Sequence, residues 1–214
     1  MDRYIKKLIS EGENQKLDFK YCISDSRKIA RTLAAFSNSN GGKLLIGVRD
    51  NGAIAGIRSE EEYYMIETAA LLYCKPEIHF TVRQHDIDGK TILEVDVEKG
   101  LERPYKARDE DDRWKVYCRQ HDQNIVINRV VSEAWRKSES TKGVLIRFGL
   151  PEKALMDYLK INETITVAGF RKIAGIPFFK AEKIIINLLA CGVLDWVSTS
   201  TGIRYKLRKV NLVT

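Results

Sequence analysis

The 214-residue chain has no long apolar run. Its most apolar stretches, such as Ile184-Ile185-Ile186 and Leu188-Leu189, fall far short of the ~18 residues needed to cross a bilayer. The opening residues, Met1-Asp2-Arg3-Tyr4-Ile5-Lys6-Lys7, carry charge with no apolar region behind it, so a signal peptide is not expected. Cysteine is sparse, and Cys22, Cys74, Cys118 and Cys191 lie far apart within strand or helix patterns. That usage suits reduced thiols in a cytosol, and a cytoplasmic protein is expected. The three histidines, His79, His85 and His121, lack the i, i+4 or Cys-adjacent spacing of a zinc site. What remains is ordinary for a soluble globular protein, 44% hydrophobic and 30% charged. The length fits one large domain or two modest ones.

Net charge is +7, and its location says more than its size. Residues 151–214 hold ten Lys/Arg against five Asp/Glu, a surplus of +5 in under a third of the chain. A basic terminal segment is the footprint of a polyanion binder. A solvated basic face would have the same composition.

Periodicity gives the order of elements. Residues 3–11 read as a short amphipathic helix, and 17–22 alternate as a strand. Ser24 or Asp25 offers an N-cap to a helix carrying Ile29, Leu33 and Phe36, which stops at Ser37-Asn38-Ser39-Asn40-Gly41-Gly42. A buried strand over 43–48, a turn at Asp50-Asn51-Gly52 and a helix over 59–74 follow. Ile78, Phe80 and Val82 then alternate, Asp88-Gly89 turns the chain, and Leu93, Val95 and Val97 alternate back. A second hairpin, 105–108 with 113–119, flanks the acidic tip Asp109-Glu110-Asp111-Asp112. A helix over 127–137 runs into the linker candidate Lys137-Ser138-Glu139-Ser140-Thr141-Lys142-Gly143. The expected fold class is α+β (mixed α/β), with domains at 1–143 and 144–214.

The second domain reads helix, helix, helix, hairpin. Leu155, Met156 and Leu159 share a face of the first helix, and Thr166 caps the second, 167–174. Gly175-Ile176-Pro177 makes the turn, with Pro177 placed where a missing N–H costs least. In the third helix Ala181, Ile184, Ile185, Leu188 and Leu189 form the core stripe, and Lys180, Lys183 and Asn187 share the opposite face. Strands at 193–197 and 203–207 close the hairpin, with Arg204, Lys206 and Arg208 on one side of the second. The pattern resembles the winged helix-turn-helix family over about 60 residues. The resemblance implies duplex binding, with the third helix in the major groove and the wing on phosphates. Base readout would rest on Lys180, Lys183 and Asn187, and phosphate contact on Arg204, Lys206 and Arg208. A winged helix can also serve protein contact, to which Phe178 and Phe179 would lend themselves.

Two strings in the first domain carry a second resemblance: Glu13-Asn14-Gln15-Lys16-Leu17-Asp18-Phe19-Lys20, and the run from Ile29 through Asn38-Ser39-Asn40-Gly41-Gly42 to Val48-Arg49-Asp50-Asn51-Gly52. With Ile54-Ala55-Gly56-Ile57, Arg103-Pro104-Tyr105 and Val116-Tyr117-Cys118-Arg119, they resemble the Schlafen AlbA-type domain over roughly residues 8–135. Bacterial members often carry a C-terminal winged helix and are described as DNA-binding regulators. Nothing matches Gly-x-x-x-x-Gly-Lys-Ser/Thr, so a P-loop is not supported. Asn38, Asn40, Gly41 and Gly42 could present N–H groups to a phosphate, or could simply end a helix.

Some Schlafen relatives cleave RNA with three carboxylates and a divalent metal. The resemblance places these at Glu13, Asp18 and Asp50, holding Mg²⁺ or Mn²⁺, with Lys20 on Asp18's face of the strand to hold a phosphate. Two departures stand out: Asp18 replaces the usual Glu, and Arg49 replaces the first Asp of an Asp-Asp pair. The expectation is therefore a nucleic-acid-binding protein, a DNA-binding transcriptional regulator that needs no cofactor and no catalysis. The alternative is a metal-dependent ribonuclease acting on structured RNA. Duplex DNA is the expected partner, and a homodimer would suit paired half-sites, although no segment forces one.

Overall fold

The computed structural model describes residues 2–140 and 143–209, so Thr141 and Lys142 of the linker candidate and residues 210–214 lie outside the described residues. Two compact units divide between Val126 and Ile127.

The first unit opens with α1 (Asp2–Glu11) and β1 (Leu17–Lys20). Asp25, not Ser24, caps α2 (Ser26–Ser37), its Oδ1 accepting the Arg27 N–H at 2.9 Å. β2 (Gly42–Ile46), α3 (Glu61–Leu72) and the two-residue β3 (Cys74–Lys75) follow. Then come β4 (Phe80–Ile87), β5 (Lys90–Val97), β6 (Lys106–Arg108), β7 (Trp114–Gln120) and β8 (Gln123–Ile127). β1 runs parallel to β2 in a sheet ordered β1-β2-β5-β4, while β3-β6-β7-β8 form a second sheet.

The alternation of strand residues decides what each face of the first sheet covers. Leu44, Ile46, Leu93, Val95 and Val97 face one way and share a core with Ile29, Leu33, Ala34 and Phe36 of α2. Leu17, Phe19, Leu45 and Ile92 face the other way and pack with Ile5 of α1. α2 also packs on β6, β7 and α3, so this helix is the hub that joins the two sheets. Its inward parity carries a consequence for β1: Asp18 sits in register with Leu44 and turns inward with it.

The second unit begins with α4 (Arg129–Ser138), capped by the Asn128 side chain on the Val131 N–H at 3.1 Å. α5 (Leu150–Ile161), α6 (Val167–Ala174) and α7 (Phe178–Ala190) follow, then the hairpin of β9 (Leu194–Thr199) and β10 (Gly202–Leu207). Thr166 caps α6 as its position predicts, accepting the Gly169 N–H at 3.0 Å. Ile165 bridges Tyr205, which ties the segment before α6 to the hairpin.

α4 belongs to this second unit. The sequence reading places the domain boundary at 143, behind α4; the compact units divide ahead of it. The reason is packing: α4 lies against α7, with Arg129 paired to Glu182 and Lys137 bound to Asn187 at 2.7 Å. Val130, Val131 and Ala134 are buried on the same helix. The apolar face of α4 shows that it packs, but not that its partner is a helix some 50 residues ahead.

Candidate functional site

Asp18 is the most constrained of the predicted carboxylates. Its side chain is buried, and Arg119 Nη2 meets Oδ1 at 3.0 Å while Lys20 Nζ meets Oδ2 at 2.8 Å. Thr32 Oγ1 donates to Oδ2 at 3.5 Å. Arg119 is buried too and makes four hydrogen bonds: Nε donates to Asn14 O, Nη1 to Asn124 Oδ1, and Nη2 to Leu17 O as well as to Asp18. Its guanidinium lies 5.4 Å from the Phe36 ring centroid. An ionised carboxylate inside a core must find a cation, and Arg119 supplies it.

Glu13 is half-buried and accepts the Phe19 N–H through Oε1 at 2.8 Å. Burial raises its carboxyl above the usual range, the Phe19 N–H opposes the rise, and neighbouring Asp18 adds to it. Asp50 is exposed in a turn, with the Gly52 N–H returning to Arg49 O at 2.8 Å. Among the described residues no three His, Cys, Asp or Glu side chains gather as a metal ion requires. Glu13 and Asp18 are neighbours, but Asp50 does not join them. With Asp18 bound by two cations, this donor set does not fit Mg²⁺ or Mn²⁺.

The Asn38–Gly42 string forms a helix end. Asn38 is buried and clamps the second sheet: Nδ2 donates to Tyr105 O and Tyr117 O, both at 2.7 Å, and Oδ1 accepts the Tyr105 N–H at 2.8 Å. The backbone N–H groups of Ser39 and Gly41 both return to Phe36 O. Donors spent on the helix's own carbonyl are not offered to a phosphate. Gly42 is required for a different reason, since a Cβ there would meet the Phe36 ring at 2.4 Å. Asn40 is exposed and borders a cleft of about 460 Å³ that Lys16, Lys43 and Lys99 also line.

In the second unit Lys180 and Lys183 are exposed on α7, as their spacing predicts. Asn187 is not free beside them: its Oδ1 accepts from Lys137 of α4. The face read as a base-reading surface is therefore two lysines wide. On β10, Tyr205 is buried and its hydroxyl accepts from Asn128 Nδ2 at 3.0 Å. Arg204 Nε donates to Thr164 Oγ1 at 2.8 Å, Lys206 is half-buried, and Arg208 is exposed with its guanidinium over Gly192. None of Lys180, Lys183, Arg204, Lys206 and Arg208 pairs with a carboxylate among the described residues. Arg171 and Lys172, in the last turn of α6, are also exposed and add to the cationic surface.

Two groupings escape a reading of the sequence. Glu94 is fully buried and accepts Tyr4 Oη, Lys43 Nζ and His85 Nε2, each at 2.8 Å. Arg49 and Arg58 both lie over the ring of Tyr21, at 4.4 and 5.0 Å from its centroid. Glu94 alternates with Leu93 and Val95 and reads as an outward polar residue, and only the covering of that face by α1 buries it. The Tyr21 grouping has its signal in two glycines, Gly47 and Gly56, each standing two residues before one of the arginines.

No helix among the described residues is long and apolar enough to cross a membrane. No curated protein matches the sequence. Among solved structures, the DIP2311 protein from Corynebacterium diphtheriae is similar in fold at 16% identity and a TM-score of 0.51, over 94% of this chain and 42% of that one. The chain thus spans less than half the length of that protein. The N-terminal domain of an ATP-dependent DNA helicase RecG-related protein from Nitrosomonas europaea aligns at 20% identity and a TM-score of 0.36, over 58% of this chain and 95% of that one. The family model described as Schlafen, AlbA_2 matches residues 13–128, more than half of the sequence, and the chain belongs to that family.

Proposed function

We propose that the protein binds nucleic acid through its C-terminal unit, a winged helix-turn-helix, and acts on duplex DNA as a transcriptional regulator. One observation carries the reading: the exposed side of α7 and the β10 edge present Lys180, Lys183, Arg204, Lys206 and Arg208 with no carboxylate partner among the described residues. Unpaired cations on a helix and an adjacent hairpin are available to phosphates, and each contact releases a counterion on binding. The order of α5, α6, α7, β9 and β10 supports the winged-helix assignment, and the Ile165–Tyr205 bridge supports it further. Two lysines make a thin base reader, so discrimination between sequences would require a second copy or help from the AlbA_2 unit. A dimer reading paired half-sites meets that need.

The test is a pair of charge reversals on the full chain, assayed against duplex DNA across a salt series. Arg204→Glu/Lys206→Glu should flatten the dependence of log affinity on log salt by about 1.8, from roughly 0.9 per lost duplex phosphate contact. An unchanged slope in that variant removes the wing from the interface. Protein contact is the second reading, favoured by Phe178 and Phe179, which are 48% and 72% exposed at the start of α7. It predicts no nucleic-acid affinity at physiological salt.

A further inference from the structure

The turn between β2 and α3 is built to bring two arginines onto one ring. Gly47 and Val48 donate their N–H groups to Lys20 O, at 2.8 and 3.3 Å, which folds the chain over the end of β1. Ala55 and Gly56 then donate back to Gly47 O at 2.8 and 2.9 Å. The two glycines touch: a Cβ on Gly47, whose φ is +94°, would meet the Gly56 backbone at 2.8 Å. That closure fixes both ends of the loop, and with them Arg49 and Arg58.

Both approach Tyr21, 36% exposed, just past the outgoing end of β1. Both guanidiniums lie over its ring, and neither pairs with a carboxylate among the described residues. The nearest acidic groups are otherwise disposed. Glu62 is buried and accepts the backbone N–H groups of Ile23 and Arg58, at 3.0 and 2.8 Å, and Asp50 stands exposed in the turn without an ion pair. Hydrogen bonding from Arg58 holds the Tyr21 phenol below its usual range, and the Arg49 charge adds to this. Two like charges kept on one ring repel each other, and the loop maintains them there with no carboxylate paired to either among the described residues. An anion that accepts from both guanidiniums relieves that repulsion, and guanidinium edges match phosphate oxygens in bidentate geometry. An exposed guanidinium held over an aromatic ring also has an outer face on which an unstacked base can lie.

We propose that Arg49, Tyr21 and Arg58 form a second nucleic-acid site, which holds a phosphodiester of an unpaired strand with a flanking base stacked on a guanidinium. The proposal rests on the reading that the protein binds nucleic acid but not on the C-terminal unit, and the two sites separate experimentally. Arg49 and Arg58 are exposed, so replacing them leaves the core intact.

The experiment measures binding of ten-nucleotide oligo-dT and oligo-U by the full chain across a salt series. It compares the wild type, Arg49→Gln/Arg58→Gln, Arg49→Lys/Arg58→Lys and the wing variant Arg204→Glu/Lys206→Glu. The glutamine pair should weaken at least one oligonucleotide about tenfold and lower its salt slope by about 1.4, from roughly 0.7 for each of two single-strand contacts. The lysine pair should keep the slope and lose affinity, because charge survives while the stacked, forked geometry does not. The stronger oligonucleotide identifies the sugar of the strand. Unchanged slope and affinity of the glutamine pair on both oligonucleotides overturns the site. So does displacement of the oligonucleotide by inorganic phosphate or a glutamate decamer at comparable concentration. Failure of the C-terminal reading shows separately, as an unchanged duplex slope in the wing variant.

Discussion

Glu94 is a carboxylate from which water is excluded, and its three donors come from three different elements. Burial alone would push its carboxyl up, but the hydrogen bonds from Lys43, Tyr4 and His85 outweigh that and hold it below the usual range. Lys43 is correspondingly raised: burial lowers it, yet its bonds to Asp96 and Glu94 prevail. The sign for stability follows from the depressed carboxyl. The contribution is present above the unfolded value of about 4.3 and is lost as pH falls through the lower folded value. Glu94→Gln leaves Lys43 and His85 without their buried anion and should cost about 3 kcal/mol at neutral pH. Urea denaturation measures this, and the cost should shrink as the pH is taken well below 4. A cost that is the same at acid and neutral pH would sink the account of this network. Arg119→Ala leaves the buried Asp18 to Lys20 alone and strips the carbonyls of Asn14 and Leu17 of a donor, and should cost about 3–5 kcal/mol.

At the scale of elements, local chemistry set what could be read in advance. Asp25 and Thr166 act as N-caps where their positions predict, and the Asp88-Gly89 turn joins β4 to β5. Thr166→Ala should therefore cost about 1 kcal/mol by thermal unfolding, the usual loss for a cap. Gly42→Ala tests a constraint of shape, because its Cβ would press on the Phe36 ring, which is fully buried and has nowhere to move. A loss of about 1–3 kcal/mol is expected, as for other overpacked cores. β3 and β8 were not legible, since one is two residues long and the other runs straight into α4. Alternation put Asp18 with Lys20 on the polar side of its strand, so its burial was not legible. Nor was its partner Arg119, 101 residues away. Asn187 illustrates the same limit: helical spacing put it beside Lys180 and Lys183, and only the approach of α4 shows that Lys137 occupies it.

For the whole molecule, the division between Val126 and Ile127 gives each unit its own character. The first is organised by buried ion pairs around α2 and α1, and its buried carboxylates, such as Asp18 and Glu94, are engaged in holding the fold. The second carries cations whose sequence neighbours include few acids, and the surplus of +5 beyond residue 150 was apparent from composition alone. The structure adds which of those cations are unpaired. Lys180 and Lys183 on α7, Lys206 on β10 and Arg208 just beyond it have neither a carboxylate nor a side-chain hydrogen bond among the described residues. The claim that this unit grips phosphates is tested most directly by titrating duplex binding of the unmodified full chain against salt. With these four and Arg204 as contacts, log affinity should fall with log salt at a slope near −4.5, from roughly 0.9 per phosphate neutralised. A slope near zero, or no measurable duplex binding at low salt, would contradict it.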